Sequence, residues 1–261
     1  MDEQNIKQHF RPEEGHFIDQ VNDWITIAQE QYRPVLTPFL NPRECFIAET
    51  IVNRNDNVKL GLNGGWIHAE MKRALIYPAY FSPAQDDFEL QALEIDYPTK
   101  FSELHHRQIM GTLIGEGLER NAFGDILTDG QRWQILVSKP MAMYLQENVN
   151  HIGKIKIKWL QLDLPEILRP ENDWEELITT VTSLRLDALI SAGFNYSRNR
   201  AKQLIEHGQV RLNWSEVDRP DYQLVIHDII SVRHAGRLRV DMVNGKTKKA
   251  KERVTLSIIK A

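Results

Sequence analysis

The side chains in this sequence that are best suited to chemistry are cationic, and they crowd into one stretch. Arg185, Arg198, Arg200, Lys202 and Arg211 occupy it together with Ser197 and Asn213. Guanidinium groups bind anions through forked N–H donors and do not accept protons at neutral pH. Ser197 is placed to cap a helix ending at Gly208, so Arg198 and Arg200 fall in its first turn. The helix macrodipole disfavours positive charge there by about 0.3–1 kcal/mol each. Cations beside the N–H groups of a helix start suit an anion, and polynucleotide phosphate is the expected occupant. A solvated cationic face without a ligand accounts for the same charges. Further cations follow at Arg233, Arg237 and Arg239, and a basic turn near the end holds Lys246, Lys248, Lys249, Lys251 and Arg253.

Evidence for catalysis is thinner. His105-His106 with Asp125 is the arrangement that suggests metal or acid–base chemistry. Adjacent helical residues point about 100° apart, so the two imidazoles do not readily share a ligand. Cys45 is the single cysteine, which excludes an internal disulfide framework and a multi-cysteine zinc site; it reads as a buried small hydrophobe. A methyltransferase would show a Gly-rich loop after a strand, and no such loop is visible. The expectation is a protein with no catalytic residue, no metal and no cofactor.

The elements that must position the cations form a small α+β unit. Ser183 is expected to cap a first helix with Leu186, Leu189 and Ile190 on its apolar face, and Gly193 to end it in the left-handed conformation. Ala201, Leu204 and Ile205 form the apolar side of the second helix. Arg198 and Lys202 flank it on one edge, Arg200 and His207 on the other. The strand Val210–Leu212 and a hairpin-rich tail follow. Asp187 is expected to orient an arginine by an ion pair.

Upstream, residues 81–165 read as β-α-β-β-α-β. The strands are Phe88–Tyr97, Gly124–Leu127, Arg132–Ser138 and one through Ile155, Ile157 and Trp159; the helices are Phe101–Leu118 and one opened by Pro140. Asp129-Gly130 makes the hairpin turn. This order is the ferredoxin-like plait that RNA-recognition domains also use. Trp133 could stack a base or pack in the core, and Arg107, Lys154, Lys156 and Lys158 are candidate phosphate contacts. Residues 1–80 read as an α/β segment: a helix Phe17–Gln31, a turn between Pro34 and Pro38, a helix start at Asn41-Pro42, a turn at Asn63-Gly64-Gly65 and a helix Ala69–Ile76. The expected division is therefore 1–80, a plait over 81–165, a linker over 166–182 signalled by Pro165 at its border and by Pro170, Glu171 and Asn172 within it, and an RNA-binding unit over 183–261.

Charge follows that division. Net charge is −4 over 261 residues, yet from residue 180 onward 15 Lys+Arg face 8 Asp+Glu, or +7, which leaves −11 on the rest. Screening limits the reach of the distant acidic charge to about 10 Å, so a local basic surface still attracts phosphate. No apolar run approaches the roughly 20 residues needed to span a bilayer, and the N-terminus lacks the apolar core of a signal peptide. A soluble, cytoplasmic, monomeric protein is expected, without membrane contact.

The stretch from Ser183 to Arg233 resembles the S4 RNA-binding domain. The matching residues are Ser183, Arg185, Leu186, Asp187, Gly193, Ser197, Arg198, Ala201, Ile205, Gly208, Val210 and Asp228. Two departures fall in turns: His227 where a glycine usually precedes the Asp, and Trp214 where a glycine usually follows Asn213. The resemblance implies an RNA surface of Arg185, Ser197, Arg198, Lys202, Arg211 and Asn213, which Arg200, Arg233, Arg237 and Arg239 would extend. Across the whole chain, Phe10-Arg-Pro-Glu-Glu, Leu36-Thr-Pro-Phe-Leu-Asn-Pro-Arg-Glu, Gly64-Gly65, Lys72-Arg73-Ala74, Lys100-Phe101, Leu104-His-His-Arg107 and Gly124-Asp-Ile-Leu127 resemble the YlmH-type S4 proteins of Gram-positive bacteria. That resemblance implies a non-catalytic factor that binds rRNA and tRNA on a large ribosomal subunit carrying an obstructed peptidyl-tRNA, with quality-control or division proteins as further partners. The alternatives are an RNA-modifying enzyme targeted by its S4 domain, and a cell-division scaffold whose RNA binding is incidental.

Overall fold

A computed structural model describes residues 10–170 and 173–261, so the expected linker residues Glu171 and Asn172 lie outside the described residues. The described chain forms two compact units divided at residues 171 and 172, and it is an α+β protein throughout.

The first unit opens with helix α1 (Gly15–Glu30), which buries Ile18, Val21, Ile25 and Ala28 at the predicted helical spacing. Helix α2 (Pro42–Val52) starts as its residues dictate. The Asn41 side chain accepts from the Glu44 N–H, the Glu44 carboxylate accepts from the Asn41 N–H, and Pro42 fills the first turn. Both helices pack with a three-stranded antiparallel sheet ordered β1-β3-β2, made of β1 (Val35–Leu40), β2 (Val58–Asn63) and β3 (Lys72–Pro78). Two expectations fail here. The segment between Pro34 and Pro38 is strand rather than turn, and Pro38 is accommodated at a register shift between Leu36 and Phe39. Residues 72–78 are the central strand rather than a helix. Ala74, Leu75 and Ile76 are buried in succession because neighbours cover both faces, and such a run has no periodicity to separate strand from helix.

The plait follows: β4 (Leu90–Asp96), α3 (His106–Gly115), β5 (Phe123–Thr128), β6 (Trp133–Ser138), α4 (Lys139–Asn148) and β9 (Lys158–Leu162). Its strands pair antiparallel in the order β5-β6-β4-β9. A two-stranded hairpin of β7 (His151–Ile152) and β8 (Ile155–Lys156) precedes the last strand. Helix α3 is shorter than predicted: Phe101 lies in a turn after Pro98, 88% exposed, and Ile114 near the helix end faces solvent. Helices cover one face of this sheet. On the other, Ala92, Leu127 and Leu136 lie under Trp66, Leu164, Ile167 and Leu168, and the Gln134 side-chain Oε1 accepts from the Leu168 N–H at 2.7 Å. Ile167 and Leu168 are therefore core, although they fall in the expected linker.

The second unit is a six-stranded antiparallel sheet ordered β10-β15-β14-β13-β11-β12 with two helices on one face. Its strands are β10 (Glu175–Val181), β11 (Val210–Leu212), β12 (Ser215–Glu216), β13 (Ile229–Val232), β14 (Gly236–Lys246) and β15 (Glu252–Lys260). Strand β10 replaces the second half of the expected linker and pairs with β15 along its whole length. Helices α5 (Leu186–Phe194) and α6 (Arg198–Glu206) bury Leu186, Leu189, Ile190, Ala201 and Ile205 against Leu238, Val240, Leu256 and Ile258. Helix α5 begins two residues later than predicted, since its cap is Arg185 and not Ser183. The Leu186 and Asp187 N–H groups donate to the Tyr222 and Pro220 carbonyls. Its left-handed terminator is Asn195, at φ 54°, whereas Gly193 is an interior helical residue pressed against Leu238.

Candidate nucleic-acid interface

The helix start at residue 197 forms as its sequence requires: the Ser197 hydroxyl accepts the Arg200 N–H and Gly208 closes the helix at φ 66°. This puts Arg198 beside the start of α5, where Asp187 collects both neighbouring arginines. Arg185 donates Nε and Nη2 to the two carboxylate oxygens at 3.2 and 3.1 Å, and Arg198 donates Nη2 to Oδ2 at 2.8 Å. The carboxylate is nearly buried, at 7% exposure, while the Arg185 and Arg198 side chains remain 37% and 45% exposed. Burial pushes the Asp187 carboxyl up, but hydrogen bonds from Arg185 and then Arg198 outweigh it and hold the group below its ordinary value. One buried anion thus fixes two half-exposed cations with donor edges left over, a preorganised arrangement for phosphate oxygens. Arg200 lies over the Tyr196 ring at 3.8 Å, and Lys202 pairs loosely with Glu206 at 3.6 Å on the same helix.

Among the remaining predicted residues, Arg237, Arg239, Arg211 and Asn213 do not extend this surface. Leu238 and Val240 of β14 point at the helices, so by strand alternation Arg237 and Arg239 face the opposite side of the sheet. Arg211, between the core residues Val210 and Leu212, faces that side too and bonds the Glu216 carboxylate at 3.2 Å. Arg233 lies exposed in the turn after β13. The Asn213 amide is engaged at both ends: its oxygen accepts the Ile229 N–H at 2.9 Å and its nitrogen donates to buried Asp228 at 2.8 Å. That side chain locks a turn instead of lining a surface. Lys246 pairs with Glu252 across the final hairpin at 3.5 Å, and Lys248, Lys249, Lys251 and Arg253 are exposed around it. Arg107, Lys154, Lys156 and Lys158 are exposed on the plait.

Outside the basic residues, side chains that could have done chemistry serve the structure. Asp125 is buried and accepts from Trp66 Nε1 and from the Glu70 and Met71 N–H groups at 2.9–3.1 Å. Burial, with Glu70 nearby, pushes its carboxyl up. Burial pushes the Cys45 thiol up to about 12, far from a thiolate nucleophile. Trp133 belongs to the plait core and donates no stacking face. Tyr196, Trp174 and Trp214, which do contact the arginines, carried no signal in the spacing of charges; only their position beside basic strands and helices could have pointed to them.

Comparison with known proteins places the whole chain in a family. Three family models match in succession: "YlmH, N-terminal" over residues 13–81, "Putative RNA-binding domain in YlmH" over 83–166, and "S4 domain" over 184–230. The ribosome-associated protein quality control protein P2 of Bacillus subtilis is 41% identical over 251 residues, covering 96% of this chain and 97% of its own. The chain belongs to the YlmH family. A solved YlmH structure, described as a cell division protein from Streptococcus pneumoniae, is 34% identical with a TM-score of 0.55, covering 62% of this chain and 98% of that one. Beyond YlmH, the small ribosomal subunit protein uS4 of Fervidobacterium nodosum is 26% identical over 109 residues, 41% of this chain and 52% of its own.

Proposed function

We propose that this chain is a non-catalytic RNA-binding factor that associates with rRNA and tRNA on the large ribosomal subunit during quality control of stalled translation, acting as a monomer in the cytoplasm. The observation that carries the reading is the Asp187-centred pair of arginines on the S4 helices. A relative that spans nearly the whole chain bears a ribosome-associated quality-control name, which supports the ribosomal setting. No described helix is long and apolar enough to cross a membrane.

The test is co-sedimentation of the full chain with large subunits, and filter binding to structured rRNA fragments and tRNA. Arg185→Ala and Arg198→Ala should each weaken association and reduce the slope of log K against log salt by about 1. Unaltered binding in the double variant rejects the surface. A second reading, a division scaffold with incidental RNA binding, draws on the description of the pneumococcal relative. Pull-downs with and without RNase separate the two, because a scaffold keeps its protein partners once RNA is digested.

A further inference from the structure

The plait and the second unit treat their sheets in opposite ways. In the plait the face away from the helices is sealed by Trp66, Ile167 and Leu168. In the second unit that face carries aromatic, cationic and exposed apolar groups. Arg211, Ser231 and Arg237 lie side by side across β11, β13 and β14, and Ile229, Arg239 and Ser257 form the next row. Ile178 and Met242, 63% and 55% exposed, flank Thr255 in the row beyond. Over this face the Arg237 guanidinium sits 5.5 Å from the Trp174 ring and 5.8 Å from the Trp214 ring, and Arg239 sits 5.1 Å from Trp174. Both indoles are only partly buried. Arg239 is held by Asp241 at 2.5 Å and Ser257 at 3.3 Å, so its plane is fixed.

Trp214 also sits in an unfavourable conformation. Asn213 and Trp214, at φ 47° and 67°, are the two central residues of the tight turn joining β11 and β12, across which Leu212 pairs with Ser215. A two-residue turn with both φ values positive favours glycine at its second position, since an L side chain is strained there. A bulky indole in that place, over an arginine, is a local strain of the kind that accompanies binding sites.

We infer that the outer face of this sheet is a second RNA site, which stacks unpaired bases on Trp214 and Trp174, while the helix arginines on the other face hold phosphates of folded RNA. Every base has a π face, an indole stacks on it without regard to sequence, and neighbouring guanidiniums neutralise the adjoining phosphates. The inference rests on the proposed reading that this domain binds RNA, and it adds the substrate class: single-stranded segments next to structured RNA.

The test uses the full chain with two fluorescent probes, a single-stranded oligouridine and a blunt RNA duplex of equal length. Trp214→Gly should raise the melting temperature by relieving the turn, which guards against misfolding as an explanation. It should lower affinity for the single strand roughly tenfold and leave duplex affinity unchanged. Trp174→Leu should repeat that selectivity, and the Arg185→Ala/Arg198→Ala double variant should lose the duplex. Unchanged single-strand affinity in both tryptophan variants overturns the inference alone, and so does an equal loss for both probes. A wild-type chain that binds neither probe at low salt overturns the RNA reading of the domain as well.

Discussion

Replacing Asp187 sets two physical effects against each other. By charge alone, Asp187→Ala removes an anion from a phosphate-binding surface and should tighten binding. That gain is worth less than about 1 kcal/mol, because the flanking guanidiniums are partly solvated and salt screens the interaction. The structure argues for a larger opposite effect. Asp187 restrains two long side chains through three hydrogen bonds of 2.8–3.2 Å. Ordering a rotamer-rich side chain on binding costs about 0.5–1.5 kcal/mol. Releasing both Arg185 and Arg198 therefore costs about 1–3 kcal/mol, and after the electrostatic gain is subtracted RNA binding is weaker by up to about 3 kcal/mol, at most roughly 150-fold. The slope of log K against log salt should stay as in the wild type, since the same phosphates are met. Asp187→Asn, which keeps one acceptor oxygen, should fall between. Fluorescence anisotropy with a structured rRNA fragment at four or so salt concentrations measures both quantities. Equal or tighter binding by Asp187→Ala would refute the preorganisation argument and reduce the cluster to net charge. The clamp should be insensitive to pH in the neutral range. With the carboxyl held below its ordinary 3.8, its contribution is complete above that value and is lost only as pH falls further.

Two further predictions concern stability. Burial pushes the Glu14 carboxyl up, but Arg43 and Arg11 hold it at about 2, so its stabilising effect should be complete above pH 4.5 and disappear as pH falls toward 2. Glu14→Gln should flatten thermal melts across that window and cost roughly 3 kcal/mol at neutral pH, because the Arg43 side chain is left buried without its carboxylate. A Cβ built at Gly193 would lie 2.4 Å from Leu238 Cδ1. Gly193→Ala should therefore destabilise by about 1–3 kcal/mol in urea titrations, and the double variant with Leu238→Ala should cost less than the sum of the two single variants. Strict additivity of the two would contradict the contact.

Several local signals were readable, although the Pro34–Pro38 turn and the Ser183 cap were not borne out. Asn41-Pro42, Asp129-Gly130, and Ser197 with Gly208 announce their caps and turns because each acts through its own backbone neighbours. What escaped depends on distant partners. Strand β3 resembles a helix until both of its faces are seen to be covered, and Gly193 resembles a terminator until Leu238 is packed against it. The charges of Arg237 and Arg239 were plain, but their side of the sheet depends on the parity of Leu238 and Val240 relative to helices many residues upstream. Trp133 could have faced either way in a plait, and the packed core around it decided the matter.

The sealed sheet of the plait has a practical consequence for dissecting the protein. Trp66 and Gly65 come from the N-terminal segment, and the Trp66 indole N–H is tied to Asp125 at 3.0 Å. Deleting the first 81 residues would strip Trp66 from the cover over Ala92, Leu127 and Leu136, leaving only Leu164, Ile167 and Leu168 there, and would leave the Asp125 carboxyl without those donors. Such a fragment should be sticky and prone to precipitate. Any activity lost with it would report a broken seam and not a missing contact, so point substitutions are the sounder route to mapping this half of the molecule.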